Sequence, residues 1–140
     1  MDEKELAGLK LRADADDPKA MFLYAQAIRP ADPEEADKFI VLAATLGEPH
    51  AAELFGDTLS AGGDFERARH YYKTGAKGGL LDCAVKIAIT NLGTDEYAAV
   101  RELEELAECG VQSACQALAT YYKARGNDNQ ADYWKSLVKD

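Results

Sequence analysis

Four segments of 31 or 32 residues repeat along this chain, and that period restricts its fold more than any other feature. Ala20, Ala51, Cys83 and Ala114 open the segments. Four and five positions on stand Tyr24-Ala25, Phe55-Gly56, Ile87-Ala88 and Leu118-Ala119, a large apolar residue followed by a small one. Eight positions on are Ile28, Leu59, Asn91 and Tyr122, where only Asn91 breaks the pattern. Offsets of this kind fall on one face of an α-helix, so each segment is expected to begin with a helix, termed A. A second helix, B, is anchored at Ala36, Ala68, Ala99 and Ala131. Three residues on come Phe39, Tyr71, Glu102 and Trp134, read as the large-residue position; seven on come Ala43, Gly75, Leu106 and Val138. Small residues on matching faces let helix axes approach closely, while the larger neighbours fill the gaps.

The punctuation agrees with the period. Gly47, Gly79 and Gly110 each lie four residues before the next opening position. A glycine just past a helix end adopts the left-handed turn without steric cost. Asp32-Pro33-Glu34-Glu35 orders an N-cap, a proline at the first helical position and a glutamate at the third. Gly62-Gly63-Asp64, Gly93-Thr94-Asp95 and Gly126-Asn127-Asp128 each pair a breaker with a capping residue before the other B helices, and Asp17-Pro18 and Glu48-Pro49 start two A helices. Residues 3–15 carry Leu6, Leu9 and Ala13 at helical spacing and read as a lone B-type helix. Nine helices and no strands are expected.

Composition supports the same class. The chain has 25 Ala and 15 Leu against 5 Val and 4 Ile, which favours helices over sheets. Its 140 residues and 47% hydrophobic content are enough for a packed core. The net charge of −9 argues against nucleic acid or an anionic membrane as partner, because both need a basic footprint. No apolar run reaches membrane-spanning length, and the acidic start Met1-Asp2-Glu3-Lys4-Glu5 does not read as an export signal. Three cysteines, Cys83, Cys109 and Cys115, without an export signal suggest reduced thiols and a cytoplasmic location. With no Cys-x-x-Cys and only His50 and His70, neither a metal nor another cofactor is expected.

The alternation of A and B helices, with Leu54-Phe55-Gly56, Leu59, Ala68, Tyr71-Tyr72, Ala76 and Gly79 as its best stretch, resembles Sel1-like repeats, relatives of the tetratricopeptide repeats. The resemblance covers about residues 16–140 and implies a right-handed α-solenoid of four antiparallel helix pairs with an extra N-terminal helix. The segment Gly63-Asp64-Phe65-Glu66-Arg67-Ala68 is similar instead to the shorter tetratricopeptide turn. The expected organisation is one repeat domain over 1–140, with an N-terminal helix at 1–15 and repeats at 16–48, 49–80, 81–111 and 112–140.

The resemblance implies a protein-interaction module, an adaptor or scaffold that binds a peptide or partner protein on the concave face of its A helices. By register, that face takes offsets −1, +2, +3 and +6 from each opening residue. The candidate partner-binding residues are Phe22, Gln26, Glu53, Asp57, Val85, Lys86, Ile89, Gln116 and Thr120, with Phe22, Val85 and Ile89 forming an exposed apolar strip. A self-assembling homodimer is the alternative. The acidic run Glu102, Glu104, Glu105 and Glu108 reads as a solvated outer face. His50-x-x-Glu53 is a candidate acid–base pair but has no supporting ligands. Cysteine-rich Sel1 relatives, to which a β-lactamase-like, penicillin-directed activity is attributed, staple A to B with paired cysteines. Cys115 occupies one such position, but Lys139 stands where its partner would be, so this activity is not supported. No nucleophile or carboxylate constellation points to an enzyme.

Overall fold

The computed structural model describes residues 1–139. Among them the chain forms nine α-helices and no strand: α1 (Glu3–Asp14), α2 (Pro18–Ile28), α3 (Pro33–Thr45), α4 (Pro49–Ala61), α5 (Phe65–Lys77), α6 (Leu81–Asn91), α7 (Glu96–Glu108), α8 (Gln112–Ala124) and α9 (Asp128–Ser136). They divide into two compact units, one ending at Leu80 and holding α1–α5, the other beginning at Leu81 and holding α6–α9.

The short turns follow from one repeated device. At the end of α3, the Gly47 amide donates to the Ala44 carbonyl (3.0 Å) and the Glu48 amide to the Ala43 carbonyl (2.9 Å), with Gly47 at φ +93°. This is a Schellman motif, and it recurs with Gly63, Gly79, Gly110 and Gly126, all at positive φ. The residue after the glycine is often also the N-cap of the next helix: Glu48 for α4, Asp64 for α5 and Asn127 for α9. One helix thus stops and its antiparallel neighbour starts within about three residues. Between α1 and α2 the same hydrogen bonds form around Asp16, a non-glycine at φ 66°.

In the first unit each helix packs on the next in sequence. The alanines expected at the contact positions form the centre of its core: Ala25, Ala36, Ala43 and Ala51 are fully buried. Tyr24 meets Phe39 edge-on at 5.2 Å, and Phe55 meets Tyr71 at 4.8 Å. Gly56 explains the large-then-small rule, because a Cβ placed there would stand 2.7 Å from the Tyr72 ring. The missing side chain lets α5 lie close to α4, where the Tyr72 hydroxyl donates to Asp57 Oδ1 at 2.7 Å.

In the second unit α6 packs on α7 and α8, α7 on α8, and α8 on α9. Its core holds Val85, Ala88, Leu103, Ala114, Cys115, Leu118 and Trp134. Leu103 and Leu118 are wholly buried, and burial of side chains this size contributes about 1.5–3 kcal/mol each. The large-residue position of helix B differs here from the expectation. Glu102 is exposed and Leu103, one residue on, is buried; in α5 likewise Tyr72 rather than Tyr71 is the buried residue. A period of 3.6 lets either the third or the fourth residue after the alanine face inward; in α7 the apolar Leu103 takes the place, and in α5 both tyrosines pack, Tyr71 against Phe55 and Tyr72 over Gly56.

Candidate partner-binding groove

In the second unit, α6 and α8 stand side by side as consecutive A helices, and a groove of about 760 Å³ runs between them. All eight residues at offsets −1, +2, +3 and +6 in these two helices line it. From α6 they are Asp82, Val85, Lys86 and Ile89; from α8, Ser113, Gln116, Ala117 and Thr120. Ala117 gives the groove its width. Leu92, Gly93, Ala124 and the ring of Tyr121 extend its mainly apolar lining.

Polar groups close both ends. At one, Ser113 Oγ donates to Asp82 Oδ1 at 2.6 Å, tying the first turns of α8 and α6 together. At the other, Glu96 Oε1 accepts from the Tyr121 hydroxyl and pairs with the Arg125 guanidinium, which lies over the Tyr121 ring at 5.1 Å from its centroid. This cluster joins α7 to α8 and fixes the Tyr121 ring as a wall. Behind it, Tyr122 meets Tyr121 edge-on at 5.1 Å. Burial first, and the Glu104 carboxylate second, raise the Tyr122 hydroxyl pKa above its ordinary value. The charged lining residues are two carboxylates, Asp82 and Glu96, and two cations, Lys86 and Arg125, so the groove is locally neutral within an acidic chain.

Of the sequence candidates, the structure brings Val85, Lys86, Ile89, Gln116 and Thr120 together in this groove. The expectation of an exposed apolar strip needs correction. Ile89 is 44% exposed, but Val85 is 2% exposed and belongs to the core that α6 forms with α7 and α8. Phe22 lies in the first unit, half-buried, in a smaller recess of about 320 Å³ with Lys19, Leu23 and Pro49. Its ring stacks on His50 with centroids 5.6 Å apart. Gln26 is exposed on α2, Glu53 is half-buried on α4, and Asp57 holds the Tyr72 hydroxyl; none of the three lines that recess.

Sequence reasoning missed the Glu96–Tyr121–Arg125 cluster. Glu96 and Tyr121 are 25 residues apart, and only the A-to-B turn carries Glu96 to the groove, so no local spacing announced it. His50, read in the sequence as half of an unsupported His-x-x-Glu pair, has neighbours that spacing did not name. The histidine faces Phe22 and Glu48, its Nδ1 lying 3.6 Å from Glu48 Oε1. Glu48 is 8% exposed and caps α4 by accepting from the His50 and Ala51 amides. Among the described residues no group of three His, Cys, Asp or Glu side chains is placed to hold a metal, and no helix is long and apolar enough to cross a membrane. Cys109 is an exposed free thiol, and Cys115 is buried.

No protein-family model matches this chain, and no curated protein does. Among solved structures it is similar to a protective antigen of uropathogenic Escherichia coli strains that displays an SLR (Sel1-like repeat) fold. The two are 21% identical and superpose with a TM-score of 0.72. The match takes in 95% of this chain and 32% of the antigen, so the chain spans about a third of that protein's length. With its helices, their pairing and the glycine turns already in place, the chain has the all-α Sel1-like repeat fold.

Proposed function

We propose that this chain is a protein-interaction module and that the groove between α6 and α8 receives a short segment of a partner protein. The observation that carries the reading is the groove itself, an apolar trough of about 760 Å³ with Ile89 exposed in its wall and polar groups fixed at both ends. Sites that bind ligands are concave and mainly apolar, with a few placed polar groups that set orientation. Between Asp82 and Gly93 the groove follows α6 for roughly 16 Å, which matches about five residues of extended chain. Ser113, Gln116 and Thr120 stand about one helical turn apart along α8 and offer hydrogen bonds to such a backbone. The same reading takes segments 16–48, 49–80, 81–111 and 112–140 as repeats of one scaffold and places it in the reducing cytoplasm, where Cys109 stays a thiol.

A display library of short peptides selected on the immobilised chain tests the proposal. Enriched peptides are expected to bind in the micromolar range and to lose about tenfold or more with Ile89→Glu, less with Ile89→Ser, at unchanged circular dichroism. Ile89 suits the test because it is exposed, whereas Val85→Glu would put a charge in the core. Peptides that bind both Ile89 variants as tightly as the parent chain would exclude the groove.

A further inference from the structure

The first unit holds a recess of about 320 Å³ between the first two turns of α2 and the start of α4. Phe22, Leu23 and Pro49 wall it together with the His50 ring, which stacks on Phe22. Pro49 is pinned from behind, since a Cβ on Gly78 at the end of α5 would collide with its ring. Lys19 and Glu48 are the charged lining residues, and they are placed differently. Lys19 is exposed, whereas Glu48 is 8% exposed and is the one charged side chain buried among the described residues.

Capping does not account for that burial. Every other side-chain N-cap among the described residues is a shorter Asp or Asn, and all of them are exposed or half-buried. In Glu48 one oxygen serves the cap: Oε1 accepts from the His50 amide at 2.9 Å and the Ala51 amide at 3.0 Å, with His50 Nδ1 at 3.6 Å. Oε2 accepts from no donor among the described residues. A buried carboxylate oxygen beside a cavity gains from a donor that enters it. An anion meets the opposite of what it needs there. The amides at both helix starts are taken, those of Lys19 and Ala20 by Asp17 and those of His50 and Ala51 by Glu48. The net charge of −9 likewise attracts a cation rather than an anion.

We propose that this recess takes the guanidinium of an arginine side chain presented by a partner protein. Its N–H groups donate to Glu48 Oε2 in a charge-assisted hydrogen bond, its plane lies against the Phe22 and His50 rings, and its stem lies against Leu23 and Pro49. Size and hydration select arginine. A void of about 320 Å³ is at the small end for a ligand and suits a single side chain. A planar, weakly hydrated guanidinium enters an aromatic recess at less cost than a compact, strongly hydrated ammonium. Lys19 opposes the incoming charge, but it is exposed and its long stem lets the ammonium turn into solvent. The site is built from α2 and α4 and stands apart from the peptide groove of the second unit.

The probe is the capped tripeptide alanine–arginine–alanine, titrated into the whole chain and followed by amide NMR. The His50 and Ala51 amides, bonded to Glu48 Oε1, report on the carboxylate. Saturable shifts are expected, with a dissociation constant of roughly 0.1–1 mM. The counterpart with citrulline, which has the same shape without the charge, is expected to give none, and the one with lysine weaker ones. Glu48→Gln keeps an oxygen for the cap and is expected to lose about tenfold or more. Phe22→Leu, which leaves the cap untouched, is expected to lose about threefold or more, and Lys19→Glu to hold or gain affinity. Ile89→Glu in the groove leaves binding unchanged. Absent shifts, equal binding by the citrulline or lysine peptide, indifference to Glu48→Gln or Phe22→Leu, or a loss with Lys19→Glu overturns the proposal. So does a loss with Ile89→Glu, which would place the peptide in the groove. Free arginine binding more tightly than the tripeptide would make the ligand a small molecule and overturn the partner.

Discussion

Gly56 shows how one missing side chain sets the distance between two helices. Its position would place a Cβ 2.7 Å from one Tyr72 ring carbon and 2.8 Å from another, closer than packed atoms tolerate. Tyr72 cannot easily swing aside, because it is 3% exposed and its hydroxyl is held by Asp57 at 2.7 Å, with Ser60 Oγ at 3.2 Å. Gly56→Ala is therefore expected to lower stability by roughly 1–3 kcal/mol despite alanine's better helix propensity. Urea denaturation of the two proteins measures this, and an unchanged or raised midpoint would show that the α4–α5 contact has slack. Trp134 poses a different residue-scale question. It is buried at 6% exposure, and its indole N–H has no hydrogen-bond partner among the described residues. The ring is retained for the apolar surface it gives the second core, with the donor's desolvation set against that gain.

At the scale of the element, the turns carry as much information as the helices. Five glycines at positive φ end helices in the same hydrogen-bonded way, and the sixth such turn uses Asp16 at φ 66°. An aspartate in the left-handed region carries a conformational penalty that glycine does not. Glycine also has more freedom to lose on folding, which offsets part of the gain. Asp16→Gly is expected to raise stability by roughly 0.5–1 kcal/mol, read from thermal and urea midpoints. A loss would mean that the Asp16 side chain contributes to the α1–α2 turn beyond its backbone geometry. The capping residues act on the same elements. Asp32, Asp64, Asp95 and Asn127 each accept from the amide three residues on, so every B helix of the four repeats begins with a satisfied donor.

At the scale of the whole molecule the dominant property is charge. Twenty-five acidic residues against sixteen basic ones leave a net −9 on 140 residues, and this self-repulsion opposes the folded state. The ion pairs that answer it are mostly exposed, such as Lys10–Asp14 at 3.2 Å and Arg29–Asp37 at 3.0 Å, and pairs of that kind contribute about 0–1 kcal/mol. Screening should therefore relieve more repulsion than it removes attraction. Raising sodium chloride from about 20 to about 300 mM is expected to raise the melting temperature by roughly 2–4 °C. A fall measured by calorimetry would mean that surface ion pairs outweigh the net repulsion.

Helix number, pairing and turns were legible in the sequence because they depend on local chemistry: period, caps and left-handed glycines act within a few residues. Offsets −1, +2, +3 and +6 likewise located both helical walls of the groove in α6 and α8, since position on a helix face is fixed by counting. Exposure was not legible. Val85 and Ile89 are both apolar and lie on the same face four residues apart, yet one is 2% and the other 44% exposed, because the packing of α7 and α8 on α6 decides which of them is covered. Nor could counting join Glu96 to Tyr121 and Arg125, or His50 to Phe22, since those contacts depend on where a turn carries a side chain across to another helix. The sequence by itself determined the helices and their faces, through interactions of short range; burial and the polar ends of the groove were decided only when helices distant in sequence packed together.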